Sequence, residues 1–117
     1  MRVLFVHGMG RSPISGWPML RLLRKEDFKT ESFSYFVSLQ SFSDIRNRLA
    51  KRIEAMASKG DYVLIGHSLG GVLIRSALSR LPATVKSPQH IFLLGSPIKA
   101  SSIATRLRSN IFFRVGT

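Results

Sequence analysis

Two hydrophobic periods alternate along the chain, and the switches between them mark its elements. Arg2-Val3-Leu4-Phe5-Val6 is a nearly continuous apolar run ending at Gly8 and Gly10, the pattern of a buried strand. Between Gly16 and Lys25, Trp17, Leu20, Leu22 and Leu23 fall at helical spacing, and Pro18 suits a first helical turn. Lys29 to Val37 alternates and is rich in Phe, Tyr, Ser and Thr, so it reads as a second strand whose polar character suits a sheet edge. Ser41 to Ala57 is the clearest helix: Phe42, Ile45, Leu49, Ile53 and Met56 recur at spacings of three and four. Ser41 with Asp44 forms a capping-box pattern, and Gly60 closes the segment. A third strand follows at Tyr62 to Ile65, a helix at Leu69 to Leu81 stopped by Pro82, and a fourth strand at His90 to Leu94. Ser101 to Ser109 reads as a further helix, and Ile111 to Val115 as a strand-like tail.

Apolar strands separated by helices imply a parallel sheet covered on both faces. With right-handed crossovers, the expected architecture is α/β: a three-layer sandwich around a mainly parallel four-stranded sheet, in a single domain over residues 1–117. No internal repeat, low-complexity tract or linker divides the chain.

Composition changes this picture little. Hydrophobic residues make up 44% of the 117 positions and charged residues 21%, which excludes disordered, collagen-like and coiled-coil classes. With no cysteine there is no disulfide framework and no thiolate metal site, and neither a metal nor a cofactor is expected. No apolar run reaches the ~18 residues of a membrane span. Val3 to Val6 is too short for a signal peptide, so a cytoplasmic location is the default expectation. Charge is less ordinary. Lys and Arg number 18 against 6 Asp and Glu, a net charge of +12, and no carboxylate side chain follows Asp61.

The chemistry-bearing motif is Gly66-His67-Ser68-Leu69-Gly70, a G-x-S-x-G between a strand and a helix. Such a turn is tight, so side chains at Gly66 and Gly70 would collide with neighbouring backbone. The serine sits at its tip, over a helix N-terminus whose free N–H groups favour a developing oxyanion. A second feature, His7-Gly8-Met9-Gly10, ends the first strand. In a parallel sheet the two loops should lie side by side at the strands' C-terminal ends, where ligands bind in such folds.

Together these residues resemble the α/β-hydrolase superfamily, in its small bacterial serine esterase/lipase branch. The matching stretches are Val3 through Gly10, Trp17-Pro18, Tyr62 through Gly71, and Phe92-Leu93-Leu94-Gly95-Ser96-Pro97. By that resemblance Ser68 is the nucleophile, and the backbone N–H groups of Met9 and Leu69 form the oxyanion hole. His7, Gly8, Gly10, Gly66, His67 and Gly70 build the supporting loop and elbow. The reaction implied is acyl transfer from a small-molecule or lipid ester to Ser68, then hydrolysis. Trp17, with Met9 and Met19, is a candidate lining for an acyl pocket.

The resemblance stops short of a triad. The family orders it serine, acid, histidine, yet no Asp or Glu follows Ser68, and the one later histidine, His90, starts its strand. A five-residue strand places His90 about 16 Å from the elbow. The expectation is therefore an incomplete α/β-hydrolase fold, the N-terminal part of a longer hydrolase, lacking the strands that carry the acid and histidine. Little turnover is expected, with His7 as the candidate substitute base. The uncovered fourth strand predicts a homo-oligomer. Two other classes compete: a non-catalytic hydrolase-like binding protein, and a basic binder of nucleic acid or anionic lipid. Arg46, Arg48, Lys51, Arg52 and Lys59 cluster on or beside one helix, but no recognition motif accompanies them, so a solvated face is the expected reading and nucleic acid is disfavoured.

Overall fold

Residues 1–8, 17–36 and 40–94 are described by the structure, a computed structural model. The strand-like segments form β1 (Arg2–Val6), β2 (Lys29–Phe33), β3 (Tyr62–His67) and β4 (His90–Leu94). Between them lie helices α1 (Trp17–Lys25), α2 (Phe42–Ala57) and α3 (Leu69–Leu78). The strands pair in the order β2-β1-β3-β4, all parallel, with Val6 beside Phe33 and Gly66, and His67 beside Leu94. The polar strand β2 takes an edge, as its composition predicts.

Strand alternation divides the core between two faces. Leu4, Val6, Tyr62 and Leu64 pack with Ile45, Leu49, Ile53, Leu73 and Ile74 under α2 and α3. Val3, Phe5, Val63 and Ile65 pack with Met19, Leu20 and Leu23 under α1. The result is the three-layer α/β sandwich expected from the sequence. Ser41 caps α2, its Oγ accepting the Asp44 N–H at 3.1 Å, which is one half of the capping-box pattern. An Arg52–Glu31 pair at 2.7 Å ties α2 to β2, and Lys86 pairs with Asp61 where β3 begins. No helix among the described residues is long and apolar enough to cross a membrane.

Three boundaries differ from the sequence reading. β2 ends at Phe33 rather than Val37, because its partner β1 ends opposite at Val6. Tyr35 is thereby released from the ladder, and Val37 lies outside the described residues. β3 runs on to His67, because β4 continues to pair with it beyond the end of β1. α3 stops at Leu78 rather than Leu81. The Arg80 and Leu81 N–H groups bond to the carbonyls three residues back, Ala77 and Leu78. That tight turn precedes Pro82, whose ring disfavours helix at Leu81. The turn at Gly95-Ser96-Pro97, the helix expected at Ser101 to Ser109 and the tail at Ile111 to Val115 lie outside the described residues.

Candidate active site

The parallel register brings the C-terminal ends of β1, β2 and β3 to one end of the sheet, each followed by a site residue. After β3 the chain turns at Ser68 with φ 54° and ψ −117°, a left-handed conformation unusual for a residue with a side chain. The turn is held on both sides: the Ser68 N–H donates to Leu94 O at 2.8 Å, and the Gly71 N–H to Ser68 O at 3.0 Å. Ser68 itself is exposed. Leu69 opens α3, so its N–H has no acceptor within the helix and adds to the positive end of the helix dipole.

The elbow's glycines are required by contact. A Cβ at Gly66 would lie 2.6 Å from Gly71 N, and one at Gly70 would strike the Val6 carbonyl oxygen and come within 2.8 Å of His7 O. Gly8 closes the arrangement from the first loop. A Cβ there would meet His67 O at 2.9 Å and Ser68 Cβ at 3.2 Å. The two loops that the sequence singles out therefore touch, with His67 against Gly8. Met9 and Gly10, the remaining residues of the first loop assigned from sequence, lie outside the described residues.

His7 is 2% exposed and belongs to a small buried assembly that the sequence did not reveal. Its ring stacks on Tyr35, with centroids 4.2 Å apart and planes 7° from parallel. The Tyr35 hydroxyl donates to the His7 carbonyl at 2.6 Å. The His7 Nδ1 lies 2.9 Å from Gly8 O. A carbonyl oxygen only accepts, so Nδ1 carries the proton and, in the neutral ring, Nε2 presents a lone pair. That Nε2 is buried and has no hydrogen-bond partner among the described residues. Burial raises the Tyr35 hydroxyl pKa above its ordinary value, so the phenol stays a donor.

Beside the elbow, Gly66, Ser68, Gly71, Val72, Arg75, Leu93 and Leu94 line a cleft of ≈ 200 Å³. Ser68, Val72 and Arg75 stand at i, i+4 and i+7, the spacing that aligns side chains along one helix face. That spacing is the signal through which the sequence could have given this wall.

Other candidates fall elsewhere. His90 pairs with Val63 at the far end of the sheet, as the strand count anticipates. Trp17 is half exposed on α1 with the Arg21 guanidinium 5.4 Å from its ring centroid, and it is not part of the cleft wall. Met19 is buried in the core beneath α1. On the basic face of α2, Arg46 bonds to Ser43 and Asn47, Arg48 to Gln40 and Ser34 O, and Arg52 to Glu31. No group of three or more His, Cys, Asp or Glu among the described residues could hold a metal.

No protein-family model and no curated protein matches the chain. Among solved structures, it is similar to RedJ with a polyethylene glycol molecule bound in the active site, at 18% identity and a TM-score of 0.62, covering 80% of this chain and 42% of that one. It is also similar to the RedJ thioesterase from the prodiginine biosynthetic pathway of Streptomyces coelicolor, at 18% identity and a TM-score of 0.61, covering 79% and 38%. The chain thus spans about two fifths of the length of the RedJ chains it matches. At this identity the likeness is one of fold. It shows an α/β architecture like that of the RedJ thioesterase and does not reach the esterase/lipase branch.

Proposed function

We propose that this chain is a serine hydrolase scaffold whose Ser68 accepts an acyl group from a carboxylic ester or thioester. The observation that carries the reading is Ser68 itself, exposed on a left-handed strand-to-helix turn against Gly8 of the first loop. In this reading the Ser68 Oγ attacks the acyl carbonyl carbon and the alcohol or thiol leaves. The Leu69 N–H, at the start of α3, faces the developing oxyanion, and the Met9 N–H is the proposed second donor. A thioester is included because the fold neighbours are thioesterases.

The proton from Ser68 needs an acceptor at this end of the sheet. His90 is at the other end, and no carboxylate follows Asp61 to orient an imidazole. We assign the role to His7, whose buried Nε2 has no hydrogen-bond partner among the described residues and which lies in the loop that abuts the elbow. An imidazole without its carboxylate loses about 10⁴ in turnover. The expected behaviour is slow acylation with acyl-enzyme accumulating, rather than rapid hydrolysis.

Intact mass after incubation with p-nitrophenyl acetate or an acetyl thioester tests this. The expected result is one acetyl group on Ser68, absent in Ser68→Ala. His7→Gln keeps a side-chain donor for Gly8 O but has no basic nitrogen, and acylation should slow at least about 100-fold. Acetylation that persists in Ser68→Ala would overturn the assignment of the nucleophile.

A further inference from the structure

The cleft beside Ser68 is lined by the apolar side chains of Val72, Leu93 and Leu94, by Ser68, and by Arg75, the one charged residue among its described lining. Arg75 lies seven positions after Ser68, the residue that caps α3, a rise of about 10 Å and almost two turns along the helix. Val72 and Arg75, three positions apart on α3, share one helix face, and Ser68 caps the N-terminal end of that helix. The Arg75 side chain has no hydrogen bond or ion pair to any described residue, in contrast to Arg46, Arg48 and Arg52 on α2. No carboxylate stands in the cleft wall, and the last acidic residue of the chain, Asp61, lies just before β3, at the far end of that strand from Ser68.

We infer that this cleft is a binding site for a short acyl chain ending in a carboxylate, with the methylenes along Val72 and Leu93 and the carboxylate on the Arg75 guanidinium. The inference names the substrate class for the Ser68 reading and rests on it for the chemistry, though not for the binding. A guanidinium offers paired N–H donors that match a carboxylate. An apolar wall between that cation and the nucleophile rewards methylenes and gives nothing to a polar chain. Neutral alkanoate esters would leave Arg75 unused, so the site discriminates by charge at the far end of the acyl chain.

The +12 charge of the whole chain would draw any anion to its surface. The test therefore separates site from field. Backbone-amide NMR titrations with monomethyl suberate and dimethyl suberate are run at constant salt on the wild type, Arg75→Gln and Lys51→Gln. Lys51 is exposed on α2 and is not part of the cleft wall, and its substitution removes the same charge. The expected result is a saturable shift of the Ser68 to Arg75 amides with the monoester, weakened about tenfold in Arg75→Gln and unchanged in Lys51→Gln. The neutral diester should bind about tenfold more weakly than the monoester to the wild type and equally to Arg75→Gln. Equal weakening in both variants, equal binding of the two esters, or no saturable binding overturns the inference. The spectra themselves report whether each variant is folded. A Ser68 that fails to acylate removes the reaction but leaves this binding result standing, so the two failures are distinguishable.

Discussion

Replacing Gly70 by alanine sets two effects of opposite sign against each other. Gly70 lies in the first turn of α3, where helix propensity alone would make alanine more favourable by about 1 kcal/mol. Packing opposes this. The new methyl would strike the Val6 carbonyl oxygen and stand 2.8 Å from both Val6 C and His7 O. These are backbone atoms at the end of a central strand, so no side-chain rotation relieves the contact, and α3 must lift away from β1. Overpacking of this kind costs about 1–3 kcal/mol, and rigid backbone on both sides puts this case at the upper end or beyond it. Less the propensity gain, the net loss should be about 2 kcal/mol. With a urea m-value of about 1–2 kcal/mol/M, the midpoint should fall by about 1–2 M. Urea unfolding followed by circular dichroism on wild type and Gly70→Ala measures this directly. The same displacement should move the elbow away from the first loop and slow Ser68 acylation. A midpoint equal to or above wild type would refute the reasoning, because it would mean that helix propensity, not contact with β1, governs this position.

Three further outcomes follow from the same structure. Tyr35→Phe keeps the ring on His7 but leaves the buried His7 carbonyl without its hydroxyl donor, and should cost about 1–3 kcal/mol in urea unfolding; an unchanged midpoint would contradict it. Burial raises the hydroxyl pKa values of Tyr35 and Tyr62 above 10.0. Their contribution is therefore intact below pH 10.0 and lost as pH rises through the folded values, where the unfolded chain has already released its protons. Unfolding midpoints measured up to about pH 11 should fall less steeply in Tyr62→Phe than in wild type. Ser41→Ala removes the acceptor for the Asp44 N–H and should cost about 1 kcal/mol, seen as a lower thermal midpoint.

The sheet was legible in the sequence because a buried parallel strand has nowhere to put polar residues. Val3 to Val6 and Tyr62 to Ile65 could take no other place, and the polar Lys29 to Phe33 could only be an edge. Strand ends were harder. β2 stops where β1 stops, and that limit belongs to the partner strand rather than to Ser34 or Tyr35. The elbow could be read because its glycines are contact requirements: the clashes at Gly66 and Gly70 are steric facts that the motif encodes. Tyr35 was hidden because 28 residues separate it from His7, and only the β1–β2 pairing brings their rings together. In the sequence, Arg75 is one cation among 18. What distinguishes it is position: the i, i+4, i+7 line from Ser68, and a cleft wall that only the fold completes.

Fluorophosphonate labelling, read by intact mass, tests the central claim that Ser68 is an activated nucleophile. The probe reacts with activated serines and presupposes no substrate. The account predicts one adduct per chain on wild type, none on Ser68→Ala, and a rate on His7→Gln at least about 100-fold slower. An unlabelled wild-type protein, shown by circular dichroism to be folded, would mean that the elbow stands without a base, and would contradict the account.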